Sequence, residues 1–464
     1  MLWQRCLGGS GDDVARDMEA TPDGGYIIVG DTYSNNGDVS GNHGLSDIWV
    51  VKIDEAGEIE WQRCYGGSAS DNSKAIAVLN NSAGYVFTGN TESEDGDLIG
   101  TGAGTFPNDI SGWTVRIDLN GNIIWQNFLH PSGGLFEETS VDVICIADTI
   151  YHHFDAVAGS PPETYTYDYN GITIGTSGAA SGGPSGAVGG AICECPGGTT
   201  SVGYAGQESF VTATLFGGAS GVNLSPNGRL LGCAGSVNGG SIAVGWSLRS
   251  DLLIIKSGST ANQQWRQEFG GSGWYDQGNS VIQDAVGRYV VAGKTNSTDG
   301  DVAGLHGTLS DAWLIAVDGL GQLIWQRCFG GLDDDEAARV LSTSDGYIMA
   351  GSTVSNDFDV SGNHGGSDVW IVRLQAGDVG VGEVVEPAFS VSPNPIHSAC
   401  ILKFDAGTKP RSITLRDAAG RAVSSITVTS DPFALDMSNY DAGLYMIQVD
   451  LMDGTKAIQR VVKN

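Results

Sequence analysis

A near-identical heptapeptide recurs along this chain: WQRCLGG from Trp3, WQRCYGG from Trp61 and WQRCFGG from Trp325. Repetition at a fixed period limits the fold more than any single motif, because each unit must bury its apolar face against its neighbours. Weaker copies are WQNFLHP at Trp125 and WRQEFGG at Trp265, so successive Trp residues stand 58, 64, 140 and 60 apart. The interval of 140 reads as two units, with the missing copy at TATLFGG from Thr212, where the Trp is lost.

Every good unit continues the same way. An Asp-Gly-type turn follows the Gly-Gly, as in ARDMEATPDGG, and leads into an apolar run closed by Gly, such as GYIIVGDT from Gly25 or GYIMAGST from Gly346. A polar loop such as SNNGDVSGNHGLSD comes next, then DIWVVKID from Asp47, DAWLIAVD from Asp311 or DVWIVRLQ from Asp368. Four short strands rich in Val, Ile, Tyr and Trp, separated by Gly, Asn and Asp turns, make one unit. The 70 Gly among 464 residues fit many tight turns and argue against a helical protein. The expected fold is therefore all-β, a β-propeller of about six four-stranded blades over residues 1–378, with seven blades or an open arc as alternatives. The chain opens on the last strand of a unit, Trp3 to Gly9, and the final unit stops after its third strand, Asp368 to Leu374. The first strand is expected to fill that vacancy and remove an open sheet edge. The stretch from Thr176 to Gly206, with TSGAASGGPSGAVGG, reads as a Gly-rich insertion forming a long loop.

Charge narrows the function classes. The net charge is −31. Eight Lys/Arg and seven Asp from Phe389 onward give that tail +1 and leave −32 on the rest. Such a field repels nucleic acid and anionic membranes. No apolar run is long enough to span a bilayer. The opening residues hold no basic segment followed by an apolar one, so a secretory leader is expected to lie outside this sequence.

Four loops gather Asp and Asn around a Gly-type turn and present Asp38, Asp97, Asp301 and Asp359. Clustered oxygens of this kind can ligate calcium, which takes six to eight of them. No loop has a complete calcium pattern with its terminal Glu, and Asx-turns use the same residues without metal. The reading is turn chemistry and no cofactor, with calcium on those four carboxylates as the alternative. His43, His306 and His364 recur in separate units and are read as structural hydrogen-bonding groups. So are the Asp–Trp pairs Asp47/Trp49, Asp311/Trp313 and Asp368/Trp370. Cys6, Cys64 and Cys328 share one repeat position and read as small buried hydrophobes. Cys193 and Cys195 sit in the Gly-rich insertion, where secretion would permit a disulfide with Cys145 or Cys233 that the sequence does not assign. No Gly-x-Ser-x-Gly elbow, His-Glu-x-x-His or phosphate-binding loop is present. The acidic run Asp333 to Glu336 could supply paired carboxylates, but its place after Gly-Gly reads as a solvated turn.

Residues 379–388 read as a Gly/Val/Glu linker, and 389–464 as a second, smaller β domain, a sandwich. This tail opens with Pro393-Asn394-Pro395 and continues with a turn from Asp417 through Gly420 to Arg421. A strand with Gly443-Leu444-Tyr445 follows, then the basic end KAIQRVVK. Four such segments in this order resemble the type A C-terminal sorting domain of the type IX secretion system of Bacteroidota. The repeat region resembles the Trp-Gln-Gly-Gly repeats of cargo using that route. Membership implies export across the inner membrane by a signal peptide. It also implies recognition of the tail by an outer-membrane translocon, and a secreted or surface location. Two functions compete for the repeat region. One is a module binding carbohydrate or protein through its loops, which the absence of motifs favours. The other is an extracellular polysaccharide hydrolase with its site over the propeller axis.

Overall fold

The structure is a computed structural model. It describes the chain apart from residues 100–109, 130–138, 156–162, 179–187, 196–197, 206–207, 216–217, 227, 238, 260–261, 376–388, 393–394, 405–408, 418–421, 429–431, 441–442, 452–455 and 464. Two compact units divide it, Met1–Gly380 and Val381–Asn464. The linker expected at 379–388 lies outside the described residues.

The described residues of unit one form seven four-stranded antiparallel sheets. Blade 1 runs through Asp13–Ala20, Tyr26–Thr32, Asp47–Ile53 and Ile59–Tyr65, and blade 2 through Asp71–Val78, Tyr85–Thr91, Ser111–Ile117 and Ile123–Leu129. Blade 3 spans Thr139–Gly178, blade 4 Val188–Pro226, blade 5 Gly228–Phe269 and blade 6 Gln277–Phe329. Blade 7 takes Asp335–Ser342, Gly346–Thr353 and Asp368–Gln375 from the end of the repeat region and Trp3–Leu7 from its start. The first strand of each blade contacts the first strand of the next, and the seventh contacts the first, so the sheets form a closed ring around an axis. Trp3–Leu7 fills the vacancy foreseen in the sequence, pairing Trp3 with Arg373 and Leu7 with Val369.

The two middle strands of blade 1 are buried along their whole length because neighbouring blades cover both faces. They therefore read as continuous apolar runs rather than alternating ones. Every innermost strand carries a β-bulge at the same place, between Ala15 and Asp17 in blade 1 and between Ala337 and Arg339 in blade 7. The bulge turns the strand and raises its twist at the axis.

The heptapeptide is explained residue by residue. Trp lies on the tight turn of the following blade. An ideal Cβ on Gly57 would fall 2.9 Å from the Trp3 ring, and the φ of that residue is +82°, so only glycine fits beneath the ring. Gln accepts from the Trp of the third strand, at 2.7 Å for Trp49 to Gln62 and 2.9 Å for Trp370 to Gln4. Its amide nitrogen holds the polar loop of its own blade, Gln62 donating to Ser40 at 2.6 Å and Gln126 to the carbonyl of Asp97 at 2.9 Å. Arg reaches the following blade, as in Arg5 to Glu58 and Arg63 to Asn122. Cys6, Cys64 and Cys328 are buried in three different blades, and burial raises the thiols of Cys6 and Cys328 to about 12.

Two expectations are corrected. The Gly-rich stretch at 176–206 is not one long loop, since Val188–Cys195 and Gly198–Ala205 are the first two strands of blade 4; residues 179–187 lie outside the described ones. TATLFGG does not occupy the Trp-Gln position, because Glu208–Leu215 is a third strand and Gly218–Pro226 is the outer one. The interval of 140 therefore holds three outer-strand steps instead of two. The ring has seven blades, the alternative to six. Blade 5 joins its second strand, ending at Ser247, to its third, starting at Leu252, across four residues. Blade 1 uses fourteen, from Tyr33 to Ser46. Without the polar loop, Gln has nothing to hold and the motif decays.

Unit two is a β-sandwich. A three-stranded sheet of Phe389–Ser392, Ala399–Phe404 and Phe433–Asp436 faces a four-stranded one of Pro410–Asp417, Ala422–Thr427, Gly443–Leu451 and Lys456–Lys463. Alternate residues Cys400, Leu402 and Phe404 point into a core with Phe389, Ile413, Leu415, Ile447 and Val449.

Candidate functional site

Strand direction alternates within each blade, so the loop between strands two and three shares one end of the ring with the Gly-Gly connection to the next blade. Four contiguous blades, 6, 7, 1 and 2, carry the long polar loops on that end.

The four sequence-nominated carboxylates all sit there, each in its own blade, and the fold does not bring them together. Asp38, Asp97 and Asp301 accept from the backbone N–H of Gly8, Gly66 and Gly270 at 3.2, 3.2 and 3.3 Å. The backbone N–H of each donates to the carbonyl of the same glycine, and Asp359 donates likewise to Gly330. They lock each loop to the outer strand of the preceding blade. Among the described residues, no group of three or more His, Cys, Asp or Glu side chains is arranged to hold a metal ion.

The histidines bind buried acids. Nδ1 of His43, His306 and His364 lies 2.6, 2.7 and 2.7 Å from Oδ2 of Asp47, Asp311 and Asp368. The opposite oxygen of each of these carboxylates is buried and has no hydrogen-bond partner. Across each blade junction a second buried acid approaches, and glycine is what lets them meet. An ideal Cβ on Gly8 would fall 2.6 Å from Asp13 Oδ2 and 2.8 Å from Asp368 Oδ1. Burial raises Asp71 and Asp311 to about 6, against hydrogen bonds from Thr91 and His306 respectively. Burial raises Asp47, Asp335 and Asp368 as well. A carboxyl held above its unfolded value, about 3.9, binds more protons folded than unfolded, so its contribution to stability declines as pH rises through that interval. The melting temperature should therefore fall by a few degrees between about pH 4 and about pH 6.5, from the unfolded value of these acids to their folded one. A flat or rising profile in a pH series of thermal melts would show that these acids are not held as described.

A second place is the axis. The seven inner strands enclose a cavity of about 330 Å³. Arg339 of blade 7 reaches across to blade 1, 3.1 Å from Asp17 and 2.5 Å from Glu19. Asp142 of blade 3 lines the same cavity, and burial, with Asp17 nearby, raises it to about 7. Both Asp side chains have structural partners: Asp17 accepts from the N–H of Met18 and Ile76, and Asp142 from those of Val143 and Ile192. Ile76 and Ile192 lie in the next blade, just past its bulge, where the strand ladder leaves an N–H to be satisfied. Sequence reading did not find this group; the only signal was Asp142, set between valines in the inner strand TSVDVICI.

The run Asp333 to Glu336 is divided. Asp335 is buried under Thr353 and Ser355, Asp334 caps Ser310, and Glu336 pairs with Lys294 at 2.8 Å. Cys193 and Cys233 pack in one core cluster between blades 4 and 5, whereas Cys145 lies against Tyr169 in blade 3. In the tail, Gly443 and Leu444 pair with Lys463 and Val462, and Tyr445 joins the sandwich core opposite Asp417. Pro395 is exposed; Pro393, Asn394, Gly420 and Arg421 lie outside the described residues.

Fold and site together define a seven-bladed β-propeller joined to a β-sandwich. Residues 390–464 match the family described as secretion system C-terminal sorting domain, and that segment is the sorting domain of a type IX secretion cargo. The tail implies secretion to the cell surface or the extracellular space. Among the described residues, no helix is long and apolar enough to cross a membrane. No curated protein matches the chain. Among solved structures, it is similar to a protein of unknown function from Bacteroides caccae at 14% identity and TM-score 0.38, covering 62% of this chain and 92% of that one. It is also similar to the Dos1 propeller, at 8% and 0.46 with 80% and 95% covered. A periplasmic gluconolactonase of Pseudomonas aeruginosa stands at 12% and 0.44, with 91% and 99% covered. At these values the likenesses say nothing about activity.

Proposed function

We propose that the propeller is a binding module for a carbohydrate or protein ligand, exported by its tail, with the loop-bearing end of the ring as its recognition surface. One observation carries this reading: large apolar side chains stand exposed on that end. Trp274 and Tyr275 project from the connection between blades 5 and 6, Leu309 from the blade 6 loop, Leu332 from the next connection, and Val354 and Phe358 from the blade 7 loop. Tyr33 and Leu45 continue the series onto blade 1. Exposed apolar side chains also stand at the opposite end, at Val237, Val286 and Leu320, but among the described residues the exposed aromatic rings, Tyr33, Trp274, Tyr275 and Phe358, are all on the loop-bearing end. Such rings mark an interaction surface and supply most of its contact energy. The test compares retention of the full chain and of a Trp274→Ala/Tyr275→Ala/Leu332→Ser/Phe358→Gly variant on immobilised glycans and extracellular proteins. The expected result is retention of the wild type by at least one of them and loss with the variant at unchanged melting temperature. Equal retention of both, or retention of neither, would overturn the reading.

A second reading is a hydrolase acting over the axis, and the convergence of Asp17, Glu19 and Asp142 is the observation in its favour. The commitment of both aspartates to backbone N–H groups, and of Glu19 to Arg339, weighs against it. Polysaccharide cleavage abolished by Asp142→Asn at unchanged stability would establish it.

A further inference from the structure

The repeats control for one another, and one junction departs from the rest. In three of the four long loops, the position before the nominated Asp is a glycine with positive φ, at 67° for Gly37, 65° for Gly96 and 69° for Gly300. In blade 7 that position is Phe358, at 48°. A bulky residue in the left-handed region is strained. Burial does not repay it, since Phe358 is 68% exposed.

The residue after Gly-Gly departs at the same junction. Ser10, Ser68 and Ser272 each donate a backbone N–H to the side chain of the facing loop, Asn36, Asp95 and Asp299. Leu332 makes the same bond to Asp357, yet presents an isobutyl group that is 51% exposed. The two replacements adjoin, because Asp357 precedes Phe358. The ring of His306, from the blade 6 loop, lies 5.2 Å from that of Phe358. On the other flank of the blade 6 loop, Trp274 and Tyr275 replace the short polar connection used elsewhere, with their N–H groups on Asn296. Blade 6 thus lies between two displays of apolar side chains, Trp274 with Tyr275 on one flank and Leu332 with Phe358 on the other.

Charge identifies the occupant. Arg249, in the short blade 5 loop beside Trp274, stands at the rim of this face; the segments that build it, 270–276, 296–310, 330–334 and 354–367, contain no Lys or Arg. They carry Asp299, Asp301, Asp333, Asp334, Asp357 and Asp359 around the exposed rings. Aromatic faces ringed by carboxylates attract cations, by ring quadrupole and by charge, and the net −31 of the chain steers them in. We propose that Phe358 and Leu332, flanked by Trp274 and Tyr275, form the docking site for a basic, amphipathic polypeptide segment. Its apolar side chains sit on Phe358 and Leu332 and its Arg or Lys groups on the surrounding carboxylates. This rests on the reading of the loop-bearing end as the recognition surface.

The test uses the full chain and three labelled dodecapeptides of alternating Arg/Leu, Arg/Ser and Glu/Leu, read by fluorescence anisotropy. The Arg/Leu peptide should bind tightest and the Glu/Leu peptide not at all. Phe358→Gly and Leu332→Ser should each weaken the Arg/Leu peptide by about tenfold or more, as anchor truncations do. Phe358→Gly relieves the backbone, so its melting temperature should hold or rise while binding falls, a combination that misfolding does not produce. Equal binding of Arg/Leu and Arg/Ser peptides, or binding indifferent to both substitutions, would reduce the attraction to bulk charge and overturn the proposal. Glycan retention lost with Phe358→Gly, without any peptide binding, would overturn the basic segment and leave the recognition surface standing.

Discussion

Removing Met1–Gly9 should open the ring. The deletion takes away the outer strand of blade 7 and turns Asp368–Gln375, still paired with Gly346–Thr353, into an open edge. Leu7 and Cys6 lose their buried places, Trp3 leaves the Gly57 turn, and the indole N–H of Trp370 loses its acceptor on Gln4. Each large apolar side chain returned to water costs about 1.5–3 kcal/mol, and a buried donor without a partner costs about 1–3 more. The sum, on the order of 5 kcal/mol, corresponds to roughly 6 °C in melting temperature for a domain of this size. The freed edge also invites pairing between molecules. Light scattering and calorimetry should therefore show a less stable, self-associating protein, and a synthetic peptide of residues 1–10 should restore part of the loss by mass action. A truncated protein that melts with the wild type and stays monomeric would show that the first strand does not close the ring.

The tail should decide where the protein goes. Given a signal peptide, a reporter fused to residues 389–464 should reach the surface or medium of a strain with the type IX route. It should stop in the periplasm when the outer-membrane translocon is deleted. The full chain truncated after Gly380 should be retained in the same way, although its propeller is intact. The sandwich has its own core, from Phe389 to Val461, so the expectation concerns recognition of a folded unit. Export of the fusion in the translocon deletion strain would remove this role from the tail.

How far the site was legible differs from part to part. The loops bearing Asp38, Asp97, Asp301 and Asp359 stood out because Asp, Asn and Gly concentrate where backbone turns tightly, and a turn is a local event. Their histidines were correctly separated by blade. That each holds an acid with one oxygen unpartnered was not legible, since the acid pair forms across a junction between blades. Phe358 and Leu332 are visible in the alignment of repeats as a Phe for Gly and a Leu for Ser. Only exposure and a positive φ turn those substitutions into a site.

The sequence by itself determined what neighbouring residues settle among themselves: strand after strand of β-branched and aromatic residues, Gly turns, a change of charge at the tail and the order of the sorting motifs. It determined the closure too, because a lone Trp-Gln strand at one end answers a three-stranded unit at the other. Tertiary structure alone decided the number of blades. Trp-Gln marks blades whose long loop needs a Gln to hold it, and blades 3, 4 and 5 have no Trp-Gln. They are still required, because the ring closes only when the inner strands meet at an angle that β-bulges and side-chain volume set together. The axial group of Arg339, Asp17, Glu19 and Asp142 arises the same way, from residues far apart in the chain that meet only once seven sheets enclose one axis.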